Sequence, residues 1–279
     1  MTINNVFASR VDSYISDIGD ESVLNRLVAC KRANFTTRID ATQHIYGSKE
    51  AYINTTNKLK TAVSFKNAFL AEKRVFNSFL NRCGILNIAD DDQAFRASLT
   101  DKFFAYWMAC EIGYNTVKYK GFASKKAYDI DDAYLIANED LLMDYMGQFG
   151  YFYDPLAIKD VKMEMCTVIM EKAKRMHELR ICEVEMTAVL WLLLLRAAMS
   201  IHSMPSYFKQ EASKLFADLT KFYASKYENS AERIGNLMLF IDMIEDIKKV
   251  KSEVATIIEL NLIPLNVILA AQRRNQLTQ

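Results

Sequence analysis

Apolar positions recur at helical spacing along most of the chain, and one stretch is apolar almost all the way round. Phe95 to Gly121 starts polar, with Ser98, Thr100 and Asp101. It then runs through Phe103, Phe104, Tyr106, Trp107, Met108, Cys110 and Ile112 with few charges. A helix with no polar face must be covered on both flanks, so this stretch is expected at the middle of the molecule.

Before it, residues 1–20 read as a weak helical lead-in. Residues 21–38 read as an amphipathic helix through Val23, Leu24, Leu27, Val28 and Phe35. Residues 40–48 are polar and read as a loop; 1–20 and 39–49 are the candidates for mobile segments. A long helix is expected from about Glu50 to Arg82, carrying Val63, Phe65, Phe69, Leu70, Val75, Phe76, Phe79 and Leu80 and ended by Gly84. Ala89 to Gln93 reads as an exposed acidic turn whose aspartates favour the next helix start.

After the central stretch, residues 126–138 alternate around Asp131-Asp132 and predict a β-hairpin, which must lie on helices to be stable. Residues 139–153 give a short helix and an aromatic loop. Asp154-Pro155 is a capping acid followed by a first-turn proline. Helices are then expected at 156–178, 183–202, 206–227 and 231–260, and such short connections imply antiparallel neighbours. The last of these carries two stripes. Phe240, Met243, Ile247, Val250, Val254 and Ile257 form a coiled-coil-like seam, while Ile234, Leu237, Met238, Ile241 and Ile244 lie on a second face. Either one stripe packs on the domain and the other meets a partner, or both are buried within it. Beyond Pro264, Leu265 to Ala271 reads as a short apolar helix that docks into a groove or stays mobile.

Composition supports this helical picture. The 279 residues are 51% hydrophobic with only eight glycines and three prolines, too few turn-formers for a sandwich of short strands. A net charge of +1 gives no electrostatic draw to nucleic acid or to an anionic membrane. The five cysteines are dispersed, with no CxxC pair, and read as small buried hydrophobes. Asp12, Asp17 and Asp20 interrupt the start, so no signal peptide is expected. The longest apolar run, Ala188 to Leu195, is far short of the ~20 residues that span a bilayer. The expectation is a soluble intracellular protein.

Catalytic chemistry has no residue set to rest on. His44, His177 and His202 do not sit in HExxH, and none has a glutamate three residues before it. GxSxG, P-loop and GxGxxG motifs are absent. No enzyme activity and no cofactor or metal is expected.

One ordered set of features resembles a known family. Phe95, then Leu99-Thr100-Asp101-Lys102, then an aromatic-rich helix and Gly113-Tyr114-Asn115-Thr116 with Lys120-Gly121 resemble the signature segment of nuclear hormone receptor ligand-binding domains, particularly divergent nematode-type receptors. Leu24 to Arg38 resembles the opening helix of the nematode members, and residues 63–80 fall where a third helix lines the pocket. The hairpin falls where the family has its only β-structure. Leu179, Glu185, Leu190 and Leu193 resemble the eighth helix, and Glu232-Arg233-Ile234 with Leu237 the start of the tenth.

The resemblance implies a single domain over 1–279, folded as an all-α, three-layer antiparallel helical sandwich with one small β-hairpin. It implies transcription regulation in the nucleus, with the cytoplasm as a second place of residence, through a lipophilic small molecule and coregulator peptides, with homo- or heterodimerisation with another nuclear receptor. It implies pocket roles for Phe69, Phe76, Trp107, Met108, Glu111, Tyr134 and Ile136. A buried ion pair is implied for Glu185 and Arg233, and a dimer surface at Phe240, Met243, Ile247, Val250 and Val254. The activation helix would present Leu265, Val267, Ile268 and Leu269. Three departures stand out. Phe95 lies six residues before Asp101, one fewer than usual. Trp107 stands at a usually basic position, and the last helix lacks its acidic residue, the nearest being Glu259. The eight-cysteine DNA-binding module is also missing, so the chain is a domain of a longer parent or a short form that does not bind DNA by itself. The competing reading is a ligand-independent dimerisation or interaction protein with a filled core.

Overall fold

A computed structural model describes residues 22–46, 58–85, 93–129, 133–201, 205–224, 226 and 229–264. Among these the chain forms nine helices and one two-stranded hairpin. In order they are α1 (Val23–Tyr46), α2 (Ala62–Cys83), α3 (Gln93–Lys118), α4 (Gly121–Ser124), β1 (Lys126–Tyr128), β2 (Tyr134–Ile136), α5 (Glu139–Gly147), α6 (Pro155–Glu178), α7 (Glu183–Met199), α8 (Pro205–Ala224) and α9 (Ser230–Asn261).

The architecture is a three-layer antiparallel helical sandwich. α1 and α2 pack together as one outer layer and α6 and α9 as the other, with α3, α7 and α8 between. α3 touches α2, α6, α7, α9 and β1, which accounts for its lack of a polar face. Phe95, Leu99, Phe103, Trp107, Cys110 and Ile112 are all buried along it.

Local chemistry sets the helix ends. Thr61 and Ser64 form a capping box at the start of α2, and Gly84 closes its other end at φ 77°, a left-handed turn that glycine takes without strain. Asp154 Oδ1 accepts from the Ala157 amide ahead of Pro155. Asn138 and Asn229 cap α5 and α9 in the same way, at 3.1 Å each.

Some boundaries differ from the sequence expectation. α2 starts at Ala62 rather than near Glu50, because residues 58–60 are extended. They run parallel to β2, with the Lys60 amide donating to Tyr134 O (2.8 Å) and the Tyr134 amide to Lys58 O (2.9 Å). α1 continues to Tyr46 through a stretch read as loop. The hairpin pairs Lys126 with Ile136 and Tyr128 with Tyr134, in antiparallel register. The acidic turn 89–92, the lead-in 1–20 and the segment after Pro264 lie outside the described residues.

The first stripe of α9 and much of the second are packed within the chain. Phe240 (1% exposed), Met243, Ile247, Val250 and Val254 are buried, and so are Leu237 and Ile244. The five residues assigned to a dimer surface are buried within this chain, on a helix that packs on α3 and α6. Its exposed large apolar residues are Met238 and Leu239 in the first half and Leu260 at the end. No helix of the described residues is long and apolar enough to cross a membrane.

Candidate functional site

Among the described residues, three of the buried polar constellations that interrupt the apolar core tie distant elements near the expected site. The first joins α7 to α9. Arg233 Nε donates to Glu185 Oε1 at 2.5 Å and one terminal nitrogen to Oε2 at 2.6 Å. Two further guanidinium hydrogens go to Leu179 O (2.5 Å) and Arg180 O (3.0 Å), where the chain turns between α6 and α7. Glu185 is fully buried and also accepts from the Cys182 amide at 2.9 Å. One carboxylate thus holds a helix start and a distant helix at once. Burial and the adjacent Glu185 charge push the Tyr223 phenol up.

The second constellation joins α1, α2 and α3. Arg38 donates to Glu72 at 2.8 and 2.5 Å and reaches Glu111 Oε2 at 3.2 Å. Lys31 pairs with the other Glu111 oxygen and stands 4.7 Å from the Trp107 ring centroid. Trp107 Nε1 donates to Glu72 Oε1 at 2.7 Å. Burial, with the nearby Arg38 charge, pushes the Lys31 ammonium down to about 8. Trp107 and Glu111, expected to face a cavity, thus meet α1 and α2 through a matched set of two cations and two carboxylates.

The predicted pocket aromatics form a packed run rather than a rim. Phe76 is fully buried and lies 5.3 Å from Phe104 and 5.5 Å from Trp107. Phe69, 36% exposed, continues the run at 5.3 Å from Phe104. Met108 is buried on α3. Tyr134 and Ile136 sit apart on β2, with the Tyr134 ring tilted against Tyr128 at 5.5 Å.

The third constellation lies at this hairpin end. Lys60, only 1% exposed, pairs with Asp129 Oδ2 at 2.6 Å. Its ammonium is 5.2 Å from the Phe65 centroid, and Phe65 meets Phe149 at 6.0 Å. Phe149 meets Tyr145 at 5.1 Å, and the Lys162 ammonium lies 5.8 Å from the Tyr145 centroid. Burial pushes Lys162 down to about 8, with Lys251 and Lys60 repelling it and Asp129 attracting it. Lys251 is lowered as well, by burial first. None of these residues was expected from the sequence except through Tyr134 beside them. Their lysines come from the α2 lead-in, α6 and α9, far apart in the chain.

The end of α9 is tied next to this group. The Tyr153 amide donates to Asn261 O and the Ile263 amide to Tyr151 O, both at 2.9 Å. The Ala62 amide at the start of α2 donates to Gln148 Oε1 at 2.9 Å. Val63, Phe149, Tyr151, Leu260 and Leu262 are exposed around this junction. The expected activation-helix residues Leu265, Val267, Ile268 and Leu269 lie just beyond it and outside the described residues.

Elsewhere, an open groove of about 450 Å³ lies between α3, α7 and α9, lined by Asp101, Lys102, Tyr106, Arg196 and Lys248 among others. Tyr106 and Arg196 both donate to Glu245 there at 3.0 Å. Its charged lining suits it to water rather than to a lipophilic molecule. Among the described residues no group of His, Cys, Asp or Glu is placed to hold a metal ion. Burial pushes the Cys83, Cys110 and Cys182 thiols up to about 12.

A family model described as the ligand-binding domain of nuclear hormone receptor matches residues 95–261, more than half of the chain. No curated protein matches it.

Proposed function

The chain belongs to the family of nuclear hormone receptor ligand-binding domains, and on that premise we propose that it binds a lipophilic small molecule and passes the binding on to coregulators. The family implies ligand-regulated control of transcription. In this reading the whole of 1–279 is one ligand-binding domain of the divergent nematode type, acting in the nucleus. Pairing with a second receptor, identical or different, uses the outward face of α9, where Met238 and Leu239 are exposed.

The observation that carries the reading is the junction at the end of α9. Backbone hydrogen bonds fix residues 261–263 against 151–153, and exposed apolar side chains surround the point where the chain moves on to Leu265. Residues 265–271 are apolar except for Asn266 and bring side chains that suit such a surface. A ligand that favours the docked over the released segment shifts the population between the two states, and only through its differential affinity for them. Coregulator peptides then bind a helix groove that the segment completes or covers.

The test joins the chain to an unrelated DNA-binding domain and reads a reporter gene in cells. A lipid extract is expected to change reporter output for the full chain. Truncation after Pro264 is expected to abolish the change while leaving the melting temperature near that of the full chain. A response that survives truncation contradicts the reading.

A further inference from the structure

The open groove of about 450 Å³ between α3, α7 and α9 gathers three cations, Lys102, Arg196 and Lys248, one from each helix. A single carboxylate, Asp101, lines it with them. Glu245 stands beside the groove and is already engaged. It accepts from Arg196 Nη1 at 3.0 Å and from the Tyr106 hydroxyl at 3.0 Å.

The two lysines are held in another way. Lys102 Nζ donates to Ser200 Oγ at 3.3 Å, and that hydroxyl in turn donates to Ala197 O at 2.7 Å. The Lys248 ammonium lies 4.0 Å from the centroid of the Tyr106 ring. A hydroxyl and a ring face orient an ammonium without neutralising its charge. Neither lysine, and not Asp101 either, forms an ion pair among the described residues. Cations oriented in advance lose little freedom when they meet an anion, which lowers the cost of binding it. A carboxylate set between them accepts charge-assisted hydrogen bonds. Asp101, Lys102, Arg196 and Ser200 are exposed, so the groove is open to a side chain carried in by another protein.

We propose that this groove is a docking point for an acidic segment of a partner protein, whose carboxylates bind Lys102 and Lys248 with Arg196 at the rim. Asp101 repels the same carboxylates and holds the affinity down. The surface is separate from the junction at the end of α9, since Lys248 stands roughly 20 Å along the helix from Asn261. It therefore does not depend on the lipophilic ligand.

Fluorescence anisotropy of the full chain at low salt tests it. The probes are a labelled peptide of alternating glutamate and glycine and its glutamine counterpart. The glutamate peptide is expected to bind about tenfold more tightly than the glutamine one, and added salt is expected to shrink the difference. Lys102→Gln with Lys248→Gln is expected to erase the preference and leave the melting temperature near the parent's. Asp101→Asn is expected to strengthen the glutamate peptide by about two- to fivefold, the range of an exposed charge pair. This gain keeps the test decisive where the double variant fails to fold. Equal binding of the two peptides overturns the inference, as does a preference that survives the double variant or an Asp101→Asn variant that binds no more tightly. Inorganic phosphate that displaces the glutamate peptide at equal concentration assigns the groove to a free anion and overturns the partner. Self-association in analytical ultracentrifugation that the double variant abolishes assigns it to a second copy and overturns it too.

Discussion

Glu185 has no exposed surface, yet it answers a guanidinium and a backbone amide that lie 48 residues apart from, and three residues before, its own position. Removing it leaves the buried Arg233 guanidinium without its carboxylate, facing the Leu179 and Arg180 carbonyls. Glu185→Ala is therefore expected to destabilise the fold by ~3–5 kcal/mol, measured by urea or thermal unfolding. An unchanged melting curve would contradict a fastening role. The buried thiols give a second outcome at this scale. Their folded pKa values are raised, so the stability they support is complete below the unfolded value of 9.0 and is lost as pH rises toward about 12. Lys31 and Lys162 act in the opposite sense, adding stability between about 8 and 10.5. Above 10.5 the lysine contributions are complete, and stability is expected to fall by on the order of 1 kcal/mol per pH unit for each buried thiol. A melting temperature that climbs from pH 10.5 to 11.5 would refute this. Glu185 and Arg233 were legible through their place in an ordered family pattern. Lys31, Arg38 and Glu72 were not, because their partners lie 34 to 80 residues away and spacing within one helix does not report them. A faint signal existed: Lys31 and Arg38 are two turns apart on one face of α1, and Glu72 interrupts the apolar face of α2 between Ala71 and Val75.

At the scale of elements, the helices were legible from periodicity and caps, and their ends were less so. The Lys58–Lys60 strand was hidden because its pairing partner, Tyr134, lies in another part of the chain. Polar residues 40–46 read as loop, but the helix continues through them. The two stripes of α9 show the limit of pattern reading most clearly: a coiled-coil-like seam is also what a helix needs when α3 and α6 cover it from two sides. The pairing proposed above uses the outward side of α9, so Leu239→Asp is expected to lower dimer content in analytical ultracentrifugation without moving the melting temperature by more than a few degrees. An unchanged dimer fraction would move the interface elsewhere. The hairpin is seated against Gly121, where an added Cβ would lie 2.1 Å from Lys126 O and 3.0 Å from Thr116 Cγ2. Backbone cannot yield as a flexible side chain does, so Gly121→Ala is expected to cost about 1–3 kcal/mol. It should also speed amide exchange across β1 and β2. Exchange as slow as in the parent would show that the seat is not required.

For the whole molecule, layer order follows from one apolar helix that needs cover on every side, and α3 obtains it from α2, α6, α7 and α9. The signature stretch that first marked the chain holds the core together: Phe76, Phe103 and Trp107 are fully buried against each other. The hairpin-end group draws Lys60, Asp129 and the Phe65, Phe149 and Tyr145 rings from several distant elements, so no local motif announces it. The central claim is that this domain carries a small lipophilic molecule, and native mass spectrometry of the full chain purified from cells under non-denaturing conditions tests it most directly. The account predicts a species heavier than the bare chain by one small molecule, which organic extraction then releases. Bare chain alone, in repeated preparations and after incubation with a cellular lipid extract, would contradict it.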